Sequence, residues 1–203
     1  MIRNIVFDMG NVLIVFNPEL FMDRAGIIDP EERRIVREEL FQSVEWAQMD
    51  MGLETEDTFE PKVTARVPEP LKDKVRELLR NWAFPREMIP GMEDIVRRLK
   101  KAGYRIFLLS NASVRQPEYW NSLPVSRYFD GTLVSACVKT IKPCPTIYRL
   151  FTEEFQLHED ECLFIDDAPV NVAGAIASGW QGIVFHGDAA QLEDKMRRMG
   201  IQF

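Results

Sequence analysis

Short apolar runs that stop abruptly at polar residues recur along the chain. Ile5-Val6-Phe7 ends at Asp8, and Gly10-Asn11 follows with turn chemistry. Arg105-Ile106-Phe107-Leu108-Leu109 runs into Ser110-Asn111, Cys162-Leu163-Phe164-Ile165 into Asp166-Asp167, and Gly182-Ile183-Val184-Phe185 into His186-Gly187-Asp188. Between these runs the period changes to that of a helix. Residues 91–102 place Met92, Ile95, Val96 and Leu99 on one face, with Pro90 before them and Gly103 after. Residues 143–155 gather Ile147, Leu150 and Phe151, and residues 169–178 form a small apolar helix ending at Gly179. Strands apolar on both faces, alternating with helices, predict an α/β fold: a Rossmann-like parallel sheet flanked by helices. Ligands of such sheets sit beyond the carboxyl ends of the strands, where the polar residues above fall.

Residues 17–84 break this rhythm. Helical patterns at 18–25, 30–41, 55–65 and 68–82 set charged positions against Leu, Phe, Val and Trp, with no convincing strand. They predict an inserted helical cap over the ligand edge of the sheet. Residues 1–16 and 85–203 then make the α/β core, with 84–91 as the return hinge.

The 203 residues suffice for one good core and a smaller satellite module. A net charge of -7 argues against nucleic acid or an anionic membrane as partner, while leaving room for a local phosphate pocket. Cys137, Cys144 and Cys162 are odd in number and lack CxxC spacing, so they predict free thiols rather than a disulfide framework or zinc site. The first residues do not read as a signal peptide and no apolar stretch reaches the length of a membrane span, so the expected compartment is the cytoplasm.

Taken singly, Asp8, Ser110-Asn111, Lys142 and Asp166-Asp167 have ordinary explanations as turn formers, caps and solvated residues. Together, each at a strand end or before a helix, they point to a site. Phe7-Asp8-Met9-Gly10-Asn11-Val12 resembles the first motif of the haloacid dehalogenase superfamily. Leu109-Ser110-Asn111 resembles the second, Ile141-Lys142-Pro143 the third, and Phe164-Ile165-Asp166-Asp167 the fourth. Their order matches over nearly the whole chain, and the insertion resembles a C1-type cap. Within the superfamily the first two motifs are similar to those of bacterial alpha-D-glucose-1-phosphate phosphatases and of the phosphatase domain of soluble epoxide hydrolases.

The resemblance implies a magnesium-dependent phosphatase acting on a small phosphorylated metabolite, such as a hexose 1-phosphate. Asp8 would be the nucleophile and take the phosphoryl group, dividing the displacement into two easier steps. A carboxylate attacking a phosphate dianion needs a cation to neutralise the site. Mg2+ would be held by Asp8, the Gly10 carbonyl and Asp167, with Asp166 direct or through water. Lys142 would hold Asp8 and the phosphate as a point charge, and Ser110 and the Asn111 N–H would bind phosphate oxygens.

One position departs from the pattern. Most phosphatases of the superfamily carry a second Asp two residues after the nucleophile, as general acid and base. Here it is Gly10, and Asn11 cannot replace it. A substrate with an easy leaving group, such as a sugar 1-phosphate, would tolerate the loss; otherwise water or a cap acid must serve, with Glu19, Asp23 and Glu45 as candidates by composition. Two alternatives stand beside the phosphatase. A 2-haloacid dehalogenase uses the same nucleophile without metal, but Asp166-Asp167 would repel its carboxylate substrate. A non-catalytic binder of phosphorylated ligands could also be built on this fold. His158, His186 and residues 195–198 are expected to be solvated, Met49 and Met51 to fill gaps in the cap, and Trp46, Trp82 and Trp120 to anchor cores, with Trp46 also able to stack on a sugar.

Overall fold

The computed structural model describes residues 1–82 and 84–203; Ala83, inside the predicted cap, lies outside the described residues. Five parallel strands form one sheet: β1 (Asn4–Phe7), β2 (Arg105–Ser110), β3 (Gly131–Val134), β4 (Cys162–Asp166) and β5 (Gln181–Val184), in the order β3-β2-β1-β4-β5. The chain steps from β1 to β2 and β3 on one side, then crosses to β4 and β5 on the other. The order therefore reverses between β1 and β4. That is the switch point of a doubly wound sheet, where a crevice opens at the strand ends. Register aligns Phe7 with both Leu108 and Ile165, so Asp8, Leu109 and Asp166 reach the same edge side by side.

Helices cover both faces of the sheet. The insertion supplies α1 (Pro18–Arg24), α2 (Pro30–Val36), α3 (Val44–Asp50), α4 (Glu56–Arg66) and α5 (Lys72–Asn81); α2 runs on through a wide turn at Arg37–Phe41. The remainder are α6 (Met92–Lys101), α7 (Gln116–Trp120), α8 (Ser135–Val138), α9 (Pro145–Phe155), α10 (Pro169–Ala177) and α11 (Ala189–Arg198). Alternation along β1 explains the layers. Ile5 and Phe7 join Ile106, Leu108, Leu163 and Ile165 beneath α6 and α11, while Val6 joins Phe107, Leu109 and Phe164 beneath α9 and α10. The inserted helices close a third core of their own around Phe21, Met22, Leu40, Phe59, Val63 and Val75. Asn17 and Asp29 cap α1 and α2, and Thr55 with Thr58 forms a reciprocal capping box at α4.

β3 and α3 were not predicted by the sequence. Gly131-Thr132-Leu133-Val134 is a short edge strand with only Leu133 and Val134 buried, and its glycine lies under the Phe155 ring. The helix α3 starts at Ser43, whose hydroxyl accepts from the Trp46 N–H. The loops carrying chemistry are also set by close packing. Gly174 on α10 faces the Pro143 carbonyl oxygen, and a Cβ there would lie 2.8 Å from it. That approach fixes the segment bearing Lys142. Gly174→Ala is expected to destabilise the protein by about 1–3 kcal/mol through overpacking, seen as a lower urea midpoint at an unchanged m-value.

Candidate active site

The side chain of Lys142 is buried, and each of its ammonium protons has a partner. Nζ lies 2.6 Å from Asp8 Oδ1, 2.7 Å from Asp166 Oδ2 and 3.0 Å from the Leu109 carbonyl oxygen. These three partners stand at the ends of β1, β4 and β2, the adjacent central strands. Asn111 fixes the lysine's backbone from both sides. Its Nδ2 donates to the Lys142 carbonyl at 3.1 Å, and its Oδ1 accepts from the Lys142 N–H at 2.9 Å.

Asp166 is fully buried and saturated. Besides Lys142, its oxygens accept from Asn171 Nδ2 at 3.1 Å and from the Ala168 N–H at 2.8 Å. Asp167 instead faces the cavity, and among the described residues the side chain that hydrogen-bonds it is Asn11, through Nδ2 at 3.4 Å. Asn11 sits in the left-handed region at φ 53, which Asn tolerates better than most residues. Its Oδ1 accepts from the Phe16 N–H, so one side chain ties the loop after β1 to the loop after β4.

Oxygen atoms of Asp8, Asp166 and Asp167 lie within 4.8 Å of one another. With one ammonium among them, this group carries excess negative charge. Burial pushes the Asp8 carboxyl up to about 7, against the pull of Lys142, and Asp166 adds to the rise. Burial and Asp166 likewise raise Asp167. Lys142 loses charge stability by burial, but Asp8 and Asp166 more than offset this and its net shift is upward.

Above these groups lies a cavity of about 250 Å³. Asp8, Gly10, Ser110, Asn111, Lys142 and Asp167 line its floor, so six of the seven predicted site residues reach it; Asp166 stands behind Lys142. The opposite wall comes from the insertion and the loop before it: Phe16, Trp46, Met49, Asp50, Glu56, Leu79 and Trp82. Trp46 and Trp82 therefore border the cavity as well as the helical core, whereas Trp120 is buried beneath the sheet. His158 and His186 are exposed.

The acids named from composition lie elsewhere. Glu19 pairs with Arg33 and Arg37, Asp23 with Arg33, and Glu45 with Arg66, and none lines the cavity. Two residues went unnoticed in the sequence: Asn171, which follows the DD pair by four positions on α10, and Asp50, the last residue of α3. Among the described residues, no hydrogen bond or ion pair engages the Asp50 carboxylate. Burial pushes it up to about 7, with Lys142 opposing and Asp8 and Glu56 adding to the rise.

A family model described as a haloacid dehalogenase-like hydrolase matches residues 2–179. A flavin mononucleotide hydrolase of Arabidopsis thaliana is 27% identical over 113 residues, covering 56% of this chain and 46% of that protein. The match thus spans under half the length of that relative. A D-ribitol-5-phosphate phosphatase of Bacteroides thetaiotaomicron is 25% identical over 85% of this chain and 86% of its own. In fold, the chain is similar to a HAD family enzyme of Bacteroides thetaiotaomicron solved with magnesium and inorganic phosphate. The TM-score is 0.74 at 23% identity, over 95% of this chain and 99% of the other.

The unpaired Asp50 gives a test of the site's electrostatics. Because its folded-state pKa lies above the ordinary carboxylate value, the native chain holds this proton longer than the unfolded chain, and stability is lost as pH rises toward 7. Asn does not titrate. Without metal, Asp50→Asn is therefore expected to be more stable than the parent. The gain should be larger at pH 8 than at pH 5 by on the order of 2 kcal/mol, measured by urea melts in EDTA.

Proposed function

The chain belongs to the haloacid dehalogenase-like hydrolases, and from that premise we propose that it hydrolyses phosphomonoesters through an aspartyl-phosphate on Asp8. The observation that carries this reading is the Lys142 ammonium between Asp8 and Asp166, with Asp167 beside them on the cavity floor. Lys142 engages Asp8 Oδ1 and leaves Oδ2 as the attacking atom. The same ammonium draws the phosphoryl group toward the nucleophile, while Ser110 and the Asn111 N–H bind its oxygens. Water then displaces phosphate from Asp8. Residues 17–84 act as a cap whose aromatic wall excludes bulk water from the reacting atoms.

The donor set suits Mg2+. It is a cluster of hard oxygen ligands with more carboxylates than cations, and the adjacent cavity admits a phosphate. Asp8, Asp167 and the Gly10 carbonyl would hold the ion. Asp166, its oxygens already taken by Lys142, Asn171 and Ala168, orients its neighbours instead. Bound magnesium would supply the positive charge that lets an anionic nucleophile meet an anionic phosphate.

Small phosphorylated metabolites are the substrate class, with sugar phosphates such as a hexose 1-phosphate first among them. A cleft walled by Trp46, Trp82 and Phe16 suits one ring, and Asp50, Glu56 and Ser113 offer polar partners for hydroxyls. No described helix is long and apolar enough to cross a membrane. A dehalogenase is disfavoured because a 2-haloacid would bring its own carboxylate into a cavity already rich in them.

Phosphate release from a panel of sugar phosphates, nucleotides and p-nitrophenyl phosphate is expected to require Mg2+, to stop in EDTA and to vanish in Asp8→Asn. Activity surviving in that variant, or halide release from 2-chloropropionate in EDTA, would sink the mechanism. Metal binding also has a thermal signature. At a hundredfold excess over Kd, Mg2+ should raise the melting temperature by about 5 °C or more. The rise should be greater at pH 8 than at pH 6, because the Asp8 proton, held up to about 7 by burial, competes with the ion.

A further inference from the structure

A phosphomonoester with an alcohol leaving group needs a proton delivered to the departing oxygen. Position 10 carries no acid, although it has room for one: a Cβ there would meet only Phe16 Cβ, at 3.6 Å. Steric crowding therefore does not account for the glycine. The acid has to come from another wall of the same cavity.

Three carboxylates on that cavity's surface have other duties or partners. Asp8 is the nucleophile and Asp167 belongs to the cluster on the floor. Glu56 accepts from the Ser113 hydroxyl at 2.6 Å. Asp50 alone among the described lining acids has no hydrogen-bond or ion-pair partner on its carboxylate. Its position is nevertheless held firmly. The Ser135 hydroxyl donates to the Asp50 carbonyl at 2.5 Å and accepts from the Ala112 N–H at 3.0 Å, joining the end of α3 to the turn after Ser110-Asn111. Lys139 Nζ donates to the Gly52 carbonyl. Gly52 itself, at φ +65, comes so close to α8 that a Cβ would lie 2.2 Å from the Ala136 carbonyl oxygen. The last turn of α3 is thus docked on the core, holding Asp50 on the lining of the same cavity that Asp8 lines.

We propose that Asp50, carried by the cap helix α3, is the general acid–base of this phosphatase and does the work that glycine at position 10 cannot do. The inference rests on the phosphatase reading above. As Asp8 Oδ2 bonds to phosphorus, the ester P–O bond breaks. Its electron pair stays on the leaving oxygen, which takes the Asp50 proton and departs as an alcohol. In the second step the Asp50 carboxylate removes a proton from the attacking water. Its oxygen bonds to phosphorus, the bond from phosphorus to Asp8 breaks with its electrons returning to the carboxylate, and inorganic phosphate leaves. Burial, which favours the protonated form of Asp50 near neutral pH, suits it to the first step.

The experiment compares two esters in Mg2+: p-nitrophenyl phosphate, whose leaving group needs no proton, and the best phosphate of a primary alcohol in the panel, whose leaving group does. Asp50→Asn is expected to slow ester cleavage in the first turnover, before the aspartyl-phosphate hydrolyses, by about 10²–10⁴ on the second ester and by less than about tenfold on p-nitrophenyl phosphate, whose leaving group needs no acid. Asp50→Ala, which removes carboxyl and amide alike, should discriminate in the same way. Gly10→Asp placed in the Asp50→Asn background should recover part of the lost turnover. Equal losses on both esters, no loss on either, or a rise in KM alone would overturn the assignment. Failure of the parent protein to release phosphate from either ester would instead sink the phosphatase reading itself.

Discussion

The buried ammonium of Lys142 is the contact on which the rest of this molecule is organised. Taking a cation out of water costs several kcal/mol, and only good geometry with every proton satisfied offsets it. Here the three partners are Asp8 Oδ1, Asp166 Oδ2 and the Leu109 carbonyl, one from the end of each of three neighbouring strands. Only a parallel sheet with β1 between β2 and β4 brings those ends together. The lysine arrives from outside that set, on the segment between α8 and α9. Asn111 and the close approach of Gly174 to Pro143 hold that segment in place. Strand order, register and two loop contacts therefore serve a single charged group.

The same contact leaves a surplus of negative charge. Around the outside of the insertion acids find bases, as Glu31 does with Arg34 and Asp73 with Arg76. Such exposed pairs contribute little stability each. In the cavity Asp8, Asp167 and Asp50 gather about one ammonium, with Asp166 buried behind it. A folded chain that concentrates uncompensated charge in one partly dry place is less stable for it, and such sites are where function is found. The surplus suits both a divalent ion and a phosphate drawn in with it. Burial pushes both Asp8 and Asp50 upward, with Asp166 adding to the rise at Asp8, and Asp8 and Glu56 at Asp50.

Much of this was legible in the residues, and the gaps have physical causes. β1, β2 and β4 announce themselves because central strands buried on both faces must be apolar throughout and must end in something polar, and the edge strand β5 still shows the run Ile183-Val184-Phe185. The floor of the cavity followed from those ends: six of the seven residues singled out line it. β3 escaped because an edge strand needs apolar residues on little of its length, and Leu133-Val134 is too short a run to distinguish from a loop. Asn171 escaped because an Asn in the first turn of a helix is an ordinary local feature; its bond to Asp166 is a matter of approach, not of pattern. Trp46 and Trp82 serve the helical core and the cavity at once, a double duty that periodicity cannot separate.

Asp50 is the instructive case. In sequence it closes a seven-residue helix, Val44–Asp50, whose period is interrupted by Glu45 and Gln48, and nothing distinguishes it from the ion-paired acids nearby. What sets it apart is that, among the described residues, its carboxylate has no partner, and that is visible only once the bases of the insertion are seen to engage other groups. Glycine at position 10 supplies the other half of the argument. An acid carried on the nucleophile's own loop stays beside the substrate whether or not the cap is seated. An acid carried on α3 is in place only when Ser135 has joined the end of that helix to Ala112. Moving the proton donor from the loop to the cap thus makes chemistry conditional on the docking of the cap. The serine that meets this condition also steadies the turn after Ser110-Asn111.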